Sequence, residues 1–313
     1  MPLWALAFAT SLAGVGCGDD TTDPAIQSGA DVTQDTVDPD PRSRGNICAR
    51  WTADRADRRE GRWSGGSTVS CNAGDLDALG VDNTLRQVNL VRWLAELPPV
   101  AVDVDKNAAA QACALIMDAN DDIEHDVPDS WRCKDPIGAA AAQVSNLATT
   151  PGVFAIDLYM DDEGIANLGH RRWILNRKLG PIGVGSTKDY SCLHVIGGTG
   201  SSDAPWTAWP PPGFVPKEAI HQANNFGGFD IDRAGWSVQS DAIDVSEATV
   251  TVTRDGLPVT VTTRVLGAGF GSRWGIGIWP KGFNTKNGGV FNVLLETPRE
   301  NIEYTFEVVD CGL

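Results

Sequence analysis

Four histidines and seven cysteines carry most of the reactive chemistry open to this 313-residue chain. No His-Glu-x-x-His run and no Ser/His/Asp order accompanies them, so neither a zinc-protease helix nor a serine-hydrolase triad is on offer. An imidazole can still serve as a neutral metal ligand or as a base near neutral pH. His125 follows the acidic run Asp121, Asp122 and Glu124, which alone reads as a solvated helix end. His170 follows Gly169, where the missing Cβ lets backbone come close to a ligand, and precedes Arg171 and Arg172. Both lie at the ends of helical patterns, where side chains can project into a groove. His194 falls in the apolar stretch from Cys192 to Ile196 and reads as a hydrogen-bonded core residue, while His221 sits in a polar, Asn-rich segment with no role assigned.

The cysteines speak about compartment. The apolar stretch from Leu3 to Val15 is too short to cross a bilayer and ends in small residues before Cys17, the pattern of a signal peptide over residues 1–16. Gly14-Val15-Gly16-Cys17 resembles a bacterial lipoprotein cleavage site, so Cys17 is the candidate for lipidation, and plain secretion is the alternative. Six cysteines then remain: Cys48, Cys71, Cys113, Cys133, Cys192 and Cys311. An even, dispersed set without Cys-x-x-Cys pairs reads as three disulfides in an exported chain rather than as a zinc site. Fifteen pairings are open. Loop closure favours near neighbours, which predicts Cys48 with Cys71, Cys113 with Cys133 and, by elimination, Cys192 with Cys311 as a clamp between domains.

Composition sets the surroundings of these residues. Residues 17–45 are rich in Asp, Thr and Pro, hold seven aspartates against two arginines, and cannot bury a core, so they are expected to form a disordered acidic tether. A net charge of −16 and a sequence pI near 4.5 exclude nucleic acid as a partner on electrostatic grounds. Membrane contact is expected only through the N-terminal lipid anchor.

Helical periodicity comes first along the chain. Asp82 or Asn83 is expected to cap a helix carrying Leu85, Val88, Val91, Leu94 and Leu97, stopped by Pro98 and Pro99. A second, Ala-rich helix opens at Asp103 or Asp105 and ends near His125, a third spans Gly138 to Thr149, and a fourth Phe154 to Asp161. Ile182 to Gly185 and Cys192 to Ile196 read as buried strands. After Gly200 the pattern turns extended. Ala248 to Arg254, the turn pair Asp255-Gly256 and Val259 to Val265 predict a hairpin, with further strands at 274–279, 290–296 and 304–309. A small β-sandwich over 217–313 follows, joined through a rigid Trp- and Pro-rich linker at 201–216.

Four features in fixed order resemble the bacterial branch of the CAP superfamily, the cysteine-rich secretory, pathogenesis-related and SCP-like proteins. They are Asn89-Leu90-Val91-Arg92, His125, Tyr159-Met160-Asp161-Asp162, and the run from Gly169 to Leu175 leading into Gly183-Val184-Gly185. The resemblance covers roughly residues 80 to 200 and implies an α/β fold: a CAP-type α-β-α sandwich over 46–200, followed by the small antiparallel β-sandwich domain. It implies an open cleft with two histidines, here His125 and His170, acidic residues nearby, and in some members a divalent metal such as zinc between the imidazoles. Asp162 takes the second acidic position, although Asp161 and Glu163 crowd the same turn. Where many members have Glu-Asn-Ile, this chain has Ser145-Asn146-Leu147, so the first glutamate is missing.

These features imply an exported, lipid-anchored design: a cell-envelope lipoprotein or secreted protein whose cleft, formed by His125, Ser145, Asn146, Asp162 and His170, binds a small ligand, peptide, lipid or wall fragment. A metal-dependent extracellular hydrolase of peptide or cell-wall material, using His125, Asp162 and His170, is the alternative. A structural adhesin acting through the β-sandwich is the third reading.

Overall fold

Asp77 rather than Asp82 or Asn83 starts the first long helix of the molecule, because its carboxylate accepts the Gly80 N–H as an N-cap. The computed structural model describes residues 38–222 and 228–312. The signal peptide, Cys17 and the tether as far as residue 37 lie outside them. The end of the expected tether is ordered: Arg42 donates to the Trp93 and Leu94 carbonyls, and Ser43 caps α1 (Arg44–Arg55). The folded body therefore includes residue 38 onward.

A short ribbon, β1 (Trp63–Ser64) and β2 (Asp75–Leu76), precedes α2 (Ala78–Leu94) and α3 (Val104–Asn120). α3 stops at Asp121, which takes a left-handed conformation, so His125 lies in the loop beyond and does not close the helix as expected. The Ala-rich stretch is divided. α4 (Pro136–Ala142) ends early and Ser145 and Asn146 fall on β3 (Ser145–Ala148), a strand where helix was expected. α5 (Gly152–Asp161), α6 (Gly169–Ile174), β4 (Gly183–Ser186) and β5 (Ser191–His194) complete the first region.

The three strands run in the order β3-β5-β4, all antiparallel. Alternation along β5 explains the layering: Cys192 joins a core with Ala114, Met117 and Ala142 from α3 and α4, while Leu193 joins a core with Val88, Ile156 and Tyr159 from α2 and α5. Helices thus cover both faces of the sheet, the α-β-α sandwich expected. Glycine makes this possible on one side. A Cβ at Gly185 would lie 2.1 Å from the Ala110 carbonyl carbon, and one at Gly183 2.4 Å from the Lys106 oxygen, so α3 rests against bare strand backbone.

The segment expected as a linker is instead structural. It holds β6 (Trp206–Trp209) and β7 (Gly213–Pro216), which form the two edges of one eight-stranded sheet. α7 (Lys217–Ile220), β8 (His221–Gln222), β9 (Phe229–Asp230) and α8 (Ile231–Ala234) follow. The remaining strands are β10 (Trp236–Ser240), β11 (Thr249–Arg254), β12 (Leu257–Val265), β13 (Trp274–Lys281), β14 (Gly289–Glu296) and β15 (Ile302–Val309). Their order is β6-β10-β13-β12-β11-β14-β15-β7, antiparallel except for the parallel β15–β7 pair. The sheet folds on itself: Trp236 of β10 packs edge-on against Phe291 of β14 at 5.7 Å and Phe306 of β15 at 5.1 Å, strands it does not pair with. This is the downstream β-sandwich.

One continuous core runs from Ile47 and Leu90 through Ile156 and Trp209 to Phe306 and Val308. The β-sandwich is therefore packed onto the α-β-α layers, not hung from a linker. The three disulfides are Cys48–Cys311, Cys71–Cys133 and Cys113–Cys192. All three differ from the near-neighbour pairing, because packing brings α3 against β5 and α1 against the end of β15 before loop length can decide. Cys48–Cys311 takes over the clamping role expected of Cys192.

Candidate functional site

The site grows out of the turn that ends α5. Asp162 occupies the left-handed region, φ 59°, with its N–H donating to the Leu158 carbonyl, and the chain reverses there toward α6. That reversal aims the fully buried Asp162 carboxylate back at α6. Its Oδ1 accepts a hydrogen bond from His170 Nδ1 at 2.7 Å, and its Oδ2 accepts the Arg171 N–H at 3.3 Å. Asp162 is among the residues that line the His170 cleft, the place the resemblance implied for its acidic residue, and both its oxygens accept hydrogen bonds from α6. From there it orients His170, as carboxylates behind functional imidazoles commonly do.

Two further contacts fix the ring. Tyr159 lies with its ring centroid 5.2 Å from that of His170, and Asn146 Nδ2 donates to the His170 carbonyl at 3.1 Å. Because a carboxylate can only accept, the Nδ1 of a neutral His170 carries the proton and Nε2 keeps the lone pair. The side chain is 23% exposed, enough to meet a ligand.

His170 lines a cleft of about 430 Å³. Ile123, Leu147, Leu158, Ile165 and Phe229 supply apolar walls, and Asp161 and Glu163 supply acid. Phe229 belongs to β9, so the downstream region completes a wall of the first. Asp161 accepts the Asp230 N–H at 3.1 Å, and burial pushes its carboxyl up to about 6. Glu163 pairs with Arg233 at 2.9 Å. Two other depressions, about 510 and 570 Å³, are lined by no histidine.

The other expected site residues are placed differently. His125 is exposed, and its Nδ1 donates to the Ala142 carbonyl at 2.7 Å; it is not among the residues lining the His170 cleft. Ser145 is buried on β3, cross-strand from His194, with no hydrogen-bond partner for its hydroxyl. Asn146 acts through the His170 backbone. His194 donates Nε2 to the Ile196 carbonyl while Nδ1 is buried without a hydrogen-bond partner; burial, followed by the nearby Lys106 charge, lowers its pKa. The structure thus joins His170 with Asp162, Asn146 and Tyr159, but gives His125 a separate partner.

Arg171 and Arg172 turn away from the cleft into the β-sandwich. Arg171 is fully buried and donates to the carbonyls of Met160 and Gly235, each at 2.6 Å, to the Asp161 carbonyl and to Ser237 Oγ. Arg172 donates to the Gly267 carbonyl at 2.7 Å and to Gln239 Oε1 at 3.3 Å. Burial lowers both guanidinium pKa values to about 10. One helix turn therefore presents its histidine to solvent and its arginines to the sheet.

Two features escaped the sequence reading. Phe229 had no signal, since nothing local links it to the cleft. The second is a group of metal-ligating types, His221, Asp230 and Asp232, the one such trio among the described residues whose ligand atoms lie within 4.8 Å of one another. The Asp-x-Asp spacing after His221 was its visible trace.

Residues 85–196 match the family model described as the cysteine-rich secretory protein family, CAP. No curated protein and no solved structure gives a significant match.

Proposed function

From the premise that this is a CAP-superfamily protein, with its CAP domain over residues 85–196 and three disulfides that suit an oxidising, extracytoplasmic setting, we propose that it is an exported binding protein. Its ligand is a small peptide, lipid or wall fragment taken up in the cleft beside His170, and Cys17 acylation anchors the chain to a membrane. One observation carries the reading: His170 is held by Asp162, Tyr159 and Asn146 with Nε2 left as an acceptor at an apolar-walled cleft. Ile123 and Ile165, both exposed, add apolar surface to that cleft. The ligand it suits has an apolar body and a donor group, such as an amine or amide N–H, that meets Nε2 and the acidic side.

The test is a binding screen of peptide, lipid and peptidoglycan-fragment pools, followed by titration of any hit into wild type and His170→Ala. A dissociation constant raised at least tenfold in the variant, with unchanged melting temperature, supports the cleft. Equal affinity sinks it. Binding retained by a variant blocked at the cleft, with surface attachment intact, would favour the adhesin reading.

A second reading rests on the same dyad. An imidazole oriented by a buried carboxylate is also the arrangement of a general base, so the hydrolase reading stands behind the binding one. Turnover of peptide or wall pools by wild type, abolished in His170→Ala, would make the protein an enzyme.

A further inference from the structure

The His221, Asp230 and Asp232 trio lies at the β8–β9 ribbon, where His221 and Asp230 are cross-strand partners. Its hydrogen bonds determine the imidazole tautomer. The Thr285 hydroxyl is 2.9 Å from Asp232 Oδ1 and 2.6 Å from His221 Nε2. With Asp232 ionised its oxygen can only accept, so the single Thr285 proton goes to Asp232, and Thr285 Oγ1 must accept from His221 Nε2–H. The Nδ1 of a neutral ring is then a bare lone pair, and it faces Asp230 Oδ1 at 3.3 Å. Two acceptors at that distance repel unless a cation lies between them.

The separation fits a metal. Donors bound to one tetrahedral zinc at 2.0–2.1 Å stand about 3.3 Å apart. Asp232 is the third member, its Oδ2 3.9 Å from the ring at Nε2 and within the 4.8 Å span of the group, and two carboxylates supply the charge a dication needs. The outer contacts are those that steady metal-binding carboxylates: Asp232 also accepts from the Thr285 N–H at 2.7 Å and from Trp236 Nε1 at 3.3 Å. The nearest arginine nitrogen, Arg233 Nε, is 3.9 Å from the other Asp230 oxygen, on a side chain half exposed to water. We propose that His221, Asp230 and Asp232 form a binding site for a divalent transition ion of the zinc type, separate from the His170 cleft and one residue away from its Phe229 wall. The competing occupant is a proton, which would make the trio an ion pair between an imidazolium and two aspartates.

Zinc titration of untagged, chelator-stripped full chain decides between them. Expected is one zinc bound by wild type and by His125→Ala/His170→Ala, with affinity at least tenfold weaker in Asp230→Asn and in His221→Asn. X-ray absorption of the zinc-loaded wild type should show nitrogen and oxygen ligands with a single imidazole and no sulfur. That measurement needs no variant, so it stands even if His221→Asn fails to fold. No zinc binding above background, a spectrum with two imidazoles or a sulfur, or loss of zinc in the cleft double variant with retention in Asp230→Asn would each overturn the proposal.

Discussion

Replacing Arg171 by alanine should strip out the peg that holds the β-sandwich to the CAP layers. The wild-type guanidinium serves the Met160, Asp161 and Gly235 carbonyls and the Ser237 hydroxyl from a side chain with no exposure. Alanine orphans three buried carbonyls, at about 1 kcal/mol or more each, and removes the cation beside the buried Asp162 carboxylate. Release of the guanidinium from a costly buried position offsets part of this loss. The net expectation is about 3–5 kcal/mol, as for breaking other buried charge networks from one side. At 1.4 kcal/mol per tenfold, the folded-to-unfolded ratio falls by about two to three and a half powers of ten. With a urea dependence of about 3 kcal/mol per molar, the unfolding midpoint should drop by about 1 M or more. Arg171→Lys keeps the charge but not the planar fork that reaches separate carbonyls, so about 2 kcal/mol should still be lost. Urea unfolding followed by tryptophan fluorescence and by far-UV circular dichroism measures both. A cost below about 1 kcal/mol for Arg171→Ala would refute the idea that this residue, rather than the surrounding apolar core, joins the two regions.

Removing the Cys48–Cys311 disulfide by double serine substitution frees a 263-residue loop. Chain entropy puts the loss at about 5 kcal/mol at most, since the other two bridges already shorten the free loop, and calorimetry should show the lower melting temperature. Gly185→Ala pushes a Cβ into the backbone of α3 at Ala110 and should cost about 3 kcal/mol or prevent folding, as expression and melting would reveal; wild-type stability would mean that α3 can move aside. His194 has its pKa lowered by burial, so the unfolded chain takes up its proton first on acidification. Stability from this group is present above the unfolded value near 6.5 and is lost as pH falls below it, and His194→Asn should flatten the wild-type loss between about pH 7 and 5 in denaturant titrations. Should the two slopes coincide, burial of the imidazole is not what resists protonation.

Much of the architecture was legible along the chain. Apolar steps at Val88, Val91 and Leu94 marked α2, and strict alternation around Asp255-Gly256 marked the β11–β12 hairpin, because each pattern reports which face of one element is buried. Near the site, the motif order from Asn89 to Gly185 located the CAP domain. Its residues have local reasons: Asn89 exchanges hydrogen bonds with the Val100 N–H and carbonyl, and Arg92 reaches the Ile174 carbonyl at 2.7 Å. The boundary at 201–216 misled because short edge strands flanked by prolines look like a linker when their partners are far away in sequence.

By itself, then, the sequence determined the long amphipathic helices, the β11–β12 hairpin, the CAP motif and an even set of cysteines suited to three bridges. Tertiary structure alone decided which cysteines meet, that both regions share one core, that Asp162 stands behind His170 and that His221, Asp230 and Asp232 converge. The reason is one of scale. Pairing Cys48 with Cys311 instead of Cys71 costs about 2 kcal/mol more in loop closure, a small term beside the burial of a continuous core. Local periodicity encodes which face of a helix or strand is apolar; it holds no term for which distant face will cover it.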